Sequence, residues 1–321
     1  MKLAFISESY PPTSGGVATS TQRIARELCK QGVDVQVICF DNTRPIDSED
    51  YTIDENDEGV QVTKIGPFFI KQTSVSLKEL RESERAVFRR RAFNQMVQIL
   101  SRRERFDVLL SFYLYNPGYL ALFVSRELGL PFIAGVRGND IGLNIFNIER
   151  FAVTQWVING ADKIVCVNEH LKRRLLLVSP DAHQKTIVIP NSVSIPEMVL
   201  PKATYRERVQ LATGWNDKDL RVVFIGTLRE KKGIVTLVKA ISSCREVPIR
   251  MLVVGPEPKP SELAACQNLW SQLKSEGYVY VTGNLPRSKV NDWAYGCDAV
   301  VMPSLDDGMS NGLLEGMALG L

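Results

Sequence analysis

The stretch Pro303–Ala318 (PSLDDGMSNGLLEGMA) has the residue types and spacing to hold an extended polar anion. A strand is expected to end at Met302, a polar glycine-containing loop follows, and a helix is expected to start near Ser310. The first N–H groups of that helix have no partner within it, so the backbone around Gly308, Ser310 and Asn311 forms an anion site. Asp307 lies in the loop and Glu315 about five residues into the helix, roughly 7–8 Å along the axis at about 1.5 Å per residue. Two acids so placed around an anion site could hold hydroxyls at opposite ends of one ligand.

Two further loops suit the same ligand. After the apolar strand Val222–Ile225 comes Gly226–Gly233 (GTLREKKG), with Arg229, Lys231 and Lys232 at the carboxyl end of the strand and just before a helix. Arginine offers a planar fork of donors and lysine a movable point charge, both suited to a diphosphate; a solvated basic turn is the plainer alternative. The first strand, Leu3–Ser7, runs into a loop ending at Gly15 and Gly16. Paired glycines let the backbone approach a ligand closely and aim N–H groups at an anion, although a tight turn explains them equally well. The loop is not GxGxxG, which counts against a dinucleotide-binding oxidoreductase. A nucleoside diphosphate sugar, with a ribose at one end and a hexose at the other, is a ligand of the required kind.

These loops need a scaffold that brings strand ends together. Short apolar runs alternate with amphipathic stretches along nearly the whole chain: Leu3–Ser7, Val33–Cys39, Val60–Lys64, Val108–Ser111, Phe132–Val136, Lys163–Val167 and Thr186–Ile189 in the first half, then Val222–Ile225, Ile249–Val254, Tyr278–Thr282 and Ala299–Met302. Such alternation predicts parallel sheets with crossover helices on both faces. The segment Pro190–Thr204, with three prolines and no period, is expected to be a linker. The fold class is therefore α/β, two doubly wound domains at 1–195 and 196–321, with ligands bound beyond the carboxyl ends of the strands in a shared cleft.

Composition narrows the class further. A net charge of +3 from 39 Lys and Arg against 36 Asp and Glu does not call for nucleic acid as a partner. No apolar run reaches the roughly 18–20 residues of a membrane span, and the N-terminus suits a strand better than a secretory leader. The six cysteines form no CxxC pair, and His170 and His183 do not cluster with them. No metal site is expected, and a reducing, cytoplasmic compartment is. Lys71–Arg105 holds ten Lys or Arg against four Asp or Glu, interleaved with Leu77, Leu80, Phe88, Met96, Ile99 and Leu100. A basic amphipathic helix there could make peripheral contact with anionic lipid; a helix packed on its domain with a solvated basic face is the preferred reading.

The motifs, taken in order, resemble the retaining glycosyltransferase family 4 of GT-B fold. Pro12–Val17 is similar to the family's N-terminal glycine loop, Ala161–Val167 to its AD-strand and Ile189–Val193 to its IPNGV segment. Gly226–Gly233 resembles its GRLxxxKG loop, and Asp307 to Glu315 its acid-x7-acid motif. The resemblance implies two Rossmann-like domains: an N-terminal one on the acceptor side and a C-terminal one that binds a UDP-, GDP- or ADP-sugar. It implies that Glu315 bonds the donor ribose, that Asp307 holds hydroxyls of the transferred sugar, and that Lys232 with Arg229 neutralises the leaving diphosphate. Gly16 would lend backbone N–H groups to the nucleotide-sugar, with Gly15 and Gly226 among the donor-binding positions. Transfer would retain configuration by front-side displacement and need no metal or other cofactor. The sequence departs from the pattern at Asp307, usually Glu; at Thr227, where the loop arginine stands; and at Ser192, in place of glycine. Val136–Asp140 (VRGND) replaces a frequent histidine and leaves Arg137 and Asp140 as acceptor-side candidates. Family members continue beyond the helix that bears Glu315, so the second domain is expected to be incomplete and the chain truncated. A catalytically inactive remnant, or a binding partner of a complete transferase, is the alternative to an active enzyme; acceptor (glycan, lipid or small molecule) and oligomeric state have no readable code.

Overall fold

A computed structural model describes residues 1–13, 15–41, 50–66, 82–102 and 105–321. The described residues divide into two compact units, Met1–Pro190 and Asn191–Leu321.

In the first unit β1 (Lys2–Ser7), β2 (Asp34–Phe40), β3 (Tyr51–Asp57), β4 (Val60–Gly66), β5 (Val108–Phe112), β6 (Phe132–Val136), β7 (Lys163–Cys166) and β8 (Thr186–Val188) form one sheet. Their order is β3-β4-β2-β1-β5-β6-β7-β8, with β3 antiparallel to β4 and the other pairs parallel. The helices α1 (Gly16–Lys30), α2 (Glu82–Ser101), α3 (Asn116–Leu128), α4 (Asn139–Gly142), α5 (Ile148–Gly160) and α6 (Glu169–Val178) make the connections. The central strands are near-continuously buried, as strands covered on both faces must be. Strand order reverses between β1 and β5, the place where doubly wound sheets open a crevice for ligands. The loops after β1, β5 and β6 converge there.

β3 is an addition to the strands expected from sequence. Its residues are mostly exposed, and it turns into β4 through Glu58 and Gly59, both at positive φ (51° and 91°), the backbone of a tight hairpin. The hairpin tip is tied to the loop after β1 through Asp57. Tyr10 Oη donates to Asp57 Oδ2 at 2.6 Å, Gln22 Nε2 at 2.9 Å and Arg26 Nε at 3.0 Å, and Arg26 also pairs with Glu58. Arg26 holds the Asp57 carboxyl down at about 2. A carboxyl with a lowered pKa binds fewer protons in the fold than in the unfolded chain, so its stabilisation is present above the ordinary carboxylate range and is lost as pH falls from about 4 through about 2. Asp57→Asn is expected to cost about 1–2 kcal/mol at neutral pH, allowing for partial solvent screening, and to flatten the acid limb of stability. Urea midpoints measured from pH 7 down to pH 3 check this; parallel curves for variant and wild type would refute it.

Of the basic stretch Lys71–Arg105, residues 71–81 and 103–104 lie outside the described residues. In α2, Ala92, Met96 and Leu100 are buried, and Gln95 donates to the Gly66 carbonyl at 2.8 Å. This face of α2 packs on its own unit, so Met96 and Leu100 do not face lipid. No described helix is long and apolar enough to cross a membrane. The cysteines are free thiols, and burial pushes those of Cys39, Cys166 and Cys297 up to about 12, as for small core hydrophobes.

In the second unit β9 (Leu220–Ile225), β10 (Ile249–Val254), β11 (Val279–Val281) and β12 (Ala299–Val300) form a parallel sheet of order β11-β10-β9-β12. Its helices are α7 (Lys202–Thr213), α8 (Ile234–Ser243), α9 (Pro260–Leu263), α10 (Gln267–Ser275), α11 (Arg287–Tyr295) and α12 (Asn311–Ala318). The period-2 alternation of β9 and β10 sends Phe224, Met251 and Val253 to a core with α8 and α10, and Val223, Ile225, Leu252 and Val254 to another with α7 and α11. The expected linker is shorter than its sequence implied: Lys202–Thr204 are the first turn of α7. Pro201 stands at the N-cap, where its missing N–H removes nothing from the helix ladder. The run RVVFI also hides a buried cation. Arg221 is fully enclosed and donates through Nη1 to the Arg206 carbonyl at 2.6 Å, while its backbone N–H bonds Asp298 Oδ2 at 2.8 Å.

Candidate active site

The two basic and acidic loops of the second unit meet at its switch point. β9 runs to β10 and β11 on one side and has β12 on the other, so the loops after β9 and β12 emerge side by side. The β9 loop opens on Gly226, whose φ of 124° favours glycine, and whose carbonyl a side chain on Gly255 would meet at 2.1 Å. Leu228 anchors the loop in the core, and a 3-10 turn over Glu230–Lys232 ends on Gly233 at φ 80°. A Cβ on Gly233 would lie 2.0 Å from the Pro303 carbonyl oxygen. Glycine is required there because the two loops touch backbone to backbone. Leu305 N–H then donates to the Lys231 carbonyl at 2.9 Å, and the Lys232 ammonium pairs directly with Asp307 Oδ2. Burial and the neighbouring Lys232 pull the Lys231 ammonium below its ordinary range.

The start of α12 completes this set. Ser310 is its N-cap and Gly308 is buried beside it. Gly312 lets the first turn approach the end of β9: an added Cβ would lie 2.3 Å from the Ile225 carbonyl oxygen. Glu315, in the helix, is buried at 6% exposure. Thus Gly226, Lys232, Asp307, Gly308, Ser310, Asn311 and Glu315 are gathered at one end of one sheet. Arg229 is in the same loop with its side chain exposed. Asn191 joins them although its residue type gave no signal on its own. Its Nδ2 donates to the Met309 carbonyl at 3.3 Å and lies 3.5 Å from Asn311 Oδ1, clamping the backbone that leads into α12. Asparagine in a proline-rich segment reads as a turn residue; only its placement reveals the clamp.

In the first unit Gly15, at φ 146°, is the N-cap of α1, and a Cβ there would meet nothing within 4 Å. Gly16 begins the helix, so the first N–H groups of α1 are at the carboxyl end of β1; Ser14 between them and β1 lies outside the described residues. At the end of β6 the Arg137 guanidinium stacks on Phe112, 4.3 Å from the ring centre, and burial pulls it down to about 10. Asp140 is wholly buried. Its Oδ1 accepts from Leu114 N–H and its Oδ2 from Arg137 N–H, each at 2.8 Å. Burial pushes its carboxyl up to about 6 against the pull of those N–H groups. With both oxygens so used, Asp140 braces the β5 and β6 loops, including Tyr113 at the strained φ of 72°. Arg137 and Asp140 do come together, as a half-buried guanidinium stacked on Phe112 and a carboxylate that braces the loops beneath it.

Two doubly wound α/β units, the second carrying paired lysine and aspartate at its switch point, define a two-domain glycosyltransferase of GT-B fold. The chain belongs to Glycosyltransferase Family 4, whose model matches residues 14–195, and residues 219–321 match the model of glycosyl transferases group 1. Among relatives, the TuaC glycosyltransferase of Bacillus subtilis, provisionally named for teichuronic acid biosynthesis, is 24% identical over 335 aligned positions. That alignment covers 99% of this chain and 79% of TuaC. The catalytic domain of starch synthase IV from Arabidopsis thaliana, solved with ADP and acarbose, superposes with a TM-score of 0.74 at 15% identity, covering 99% of this chain and 81% of that one. Anabaena Alr3699/HepE, solved with UDP and glucose, gives 0.69 at 16%, covering 100% and 79%. At these identities the two structures establish likeness of fold.

Proposed function

We propose that the chain transfers a sugar from a UDP-, GDP- or ADP-sugar to a hydroxyl of a glycan, lipid or small-molecule acceptor, with retention of configuration and without a metal. The observation that carries this reading is the pairing of Lys232 with Asp307 at the start of α12, with Glu315 buried farther along the same helix. Lys232 and Asp307 satisfy each other's charge until a donor arrives; the diphosphate then takes the ammonium and frees Asp307 for the hydroxyls of the transferred sugar. Glu315 accepts from the ribose. Arg229, exposed at the rim, closes on the diphosphate from outside. The ADP and UDP held by the two solved relatives agree with such a donor.

In the reaction the bond between the anomeric carbon and the diphosphate oxygen breaks, and a bond to the acceptor oxygen forms on the same face. The acceptor proton passes to the departing diphosphate. Charge growing on that diphosphate is met by Lys232 and by the N–H groups that open α12, already in position and needing no rearrangement. Residues 1–195 hold the acceptor, with Arg137 as its candidate contact.

A thermal-stability panel of UDP-, GDP- and ADP-sugars tests the reading, because a ligand bound by the folded state alone raises the melting temperature. One donor is expected to stabilise the protein and to be consumed with release of its nucleoside diphosphate. Glu315→Gln, which keeps the side-chain volume, is expected to weaken that donor about tenfold with the melting temperature of the free protein nearly unchanged, the size of one lost charged hydrogen bond. No stabilisation by any donor would refute the proposal; binding without release or transfer would favour the inactive remnant.

A further inference from the structure

Four arginines show how a guanidinium withdrawn from water is satisfied in this protein. Arg26 pairs with Asp57 and Glu58, Arg206 with Asp217 and Asp298, and Arg250 with Asp219; the enclosed Arg221 donates to main-chain carbonyls. Arg137 differs. Its half-buried guanidinium rests on Phe112 and forms neither a hydrogen bond nor an ion pair with any described residue. Asp140, three residues on, gives one oxygen to the Leu114 N–H and the other to the main-chain N–H of Arg137, not to its guanidinium. Glu8, after β1, is exposed and does not pair with it. Burial outweighs the pull of Tyr113 and Asp140 on the Arg137 charge, and Arg23 of α1 adds repulsion.

The seat of this guanidinium is rigid. Phe112 is buried, its ring edge-on to that of Phe5 with centres 4.6 Å apart. Gly135 of β6 admits the ring: an added Cβ would lie 2.8 Å from the Ser111 carbonyl oxygen and 3.1 Å from Phe112 Cδ1. Tyr113, at its strained φ of 72°, donates its N–H to the Gly135 carbonyl at 3.0 Å. An aromatic ring holds a guanidinium in place without cancelling its charge as a carboxylate would. No nitrogen of Arg137 is sealed from solvent, so the N–H groups stay within reach of a ligand. Withdrawing a cation from water without an acceptor costs stability. Such a cost persists where function needs the group.

We infer that the crevice at the ends of β1, β5 and β6 receives an acidic group, a carboxylate or a phosphate ester, on the Arg137 guanidinium, and that the acceptor is an acidic molecule. This rests on the reading of residues 1–195 as the acceptor side. The planar fork of arginine suits both groups, each of which offers two oxygens to paired N–H donors. The place agrees: strand order reverses between β1 and β5, and Arg137 directly follows β6, beside β5. A neutral sugar would give Arg137 hydroxyls to bond but leave its charge unmet. An acidic ligand meets both needs.

The test is isothermal titration of the full chain, without nucleotide, with glucuronate, glucose 6-phosphate and neutral glucose. At least one acidic sugar is expected to bind at least about tenfold more tightly than glucose, the size of one charged hydrogen bond. The tighter of the two acids tells whether the site is set for a carboxylate or a phosphate ester. Arg137→Gln is expected to abolish the preference without lowering the melting temperature of the free protein, because it removes a charge that has no acceptor in the fold. A merely structural arginine would lower it. Arg137→Met, whose stem still covers Phe112, repeats the measurement if the glutamine variant folds poorly. Lys232→Ala is expected to leave the preference unchanged. Equal or absent binding of all three sugars would overturn the inference, as would a preference that survives both Arg137 variants. So would a preference lost in Lys232→Ala, since the acids would then sit at the diphosphate loops. The titration contains no nucleotide-sugar and the donor panel no acidic sugar, so either reading can fail alone.

Discussion

Lys232→Ala is expected to lower the rate of sugar transfer by about 10²–10³-fold, or about 3–4 kcal/mol of transition-state stabilisation, the usual cost of one preorganised donor to a developing anion. Lys232 ends a one-turn 3-10 helix whose following residue, Gly233, is locked against Pro303, so the ammonium sits on a backbone held at both ends. Its partner Asp307 is only partly exposed. Removing the cation leaves that carboxylate in a half-dry site, facing the diphosphate with like charge. Both effects act on the same complex, and both grow as charge gathers on the leaving group. The loss should therefore fall mainly on kcat, with a smaller rise in KM. Lys232→Arg keeps the charge but replaces a point donor with a planar fork and should recover only part of the rate. Steady-state release of nucleoside diphosphate measures these values; a kcat for Lys232→Ala within about twofold of wild type would remove Lys232 from the proposed machinery.

The second large effect concerns stability. Gly233→Ala is expected to destabilise the second unit by about 3–5 kcal/mol, whereas Gly214→Ala should cost only about 1–2 kcal/mol. Both glycines are left-handed, at φ 80° and 73°, so the intrinsic backbone penalty is nearly the same. They differ in what a methyl group meets. At Gly214, the C-cap of α7, there is nothing within 4 Å; at Gly233 the Pro303 carbonyl oxygen is at 2.0 Å and its carbon at 2.9 Å. A contact of 2.0 Å cannot be relieved by a rotamer, because both partners are backbone. The loops after β9 and β12 would have to part, breaking the Leu305–Lys231 hydrogen bond and the Lys232–Asp307 pair together. Urea unfolding followed by the fluorescence of Trp215 and Trp270, which are buried in the second unit, compares the two variants. Equal losses would show that the loops yield freely.

The element order of the central strands was legible because their apolar runs obey one rule, burial on both faces. β10 stands where its composition placed it, and β9 begins two residues before the expected start. β3 escaped notice because an edge strand covered on one face only is permitted acids and exposed positions, as in DEND, and so lacks that pattern. Arg221 escaped for the opposite reason. It belongs to an apolar run by position yet is charged, and its burial is tolerable only because the Arg206 and Asn216 carbonyls, distant in chain or set in a turn, accept its protons. Asp140 was picked out by its neighbours in sequence, but one of the two hydrogen bonds that make it a brace comes from Leu114, twenty-six residues away.

What the sequence by itself determined is local: which segments become strands and helices, where glycine permits a loop to turn, and which loops carry cations and acids. These follow from periodicity, backbone freedom and charge, each read within a few residues. What only the tertiary structure decided is which loops meet. Gly226–Gly233 and Pro303–Ser310 are some seventy residues apart, and nothing in either names the other. The order β11-β10-β9-β12 sets them side by side, Gly233 and Gly312 allow backbone to touch backbone, and Asn191 pins the turn into α12. Lys232 thereby meets Asp307, because strand order converts distance along the chain into contact.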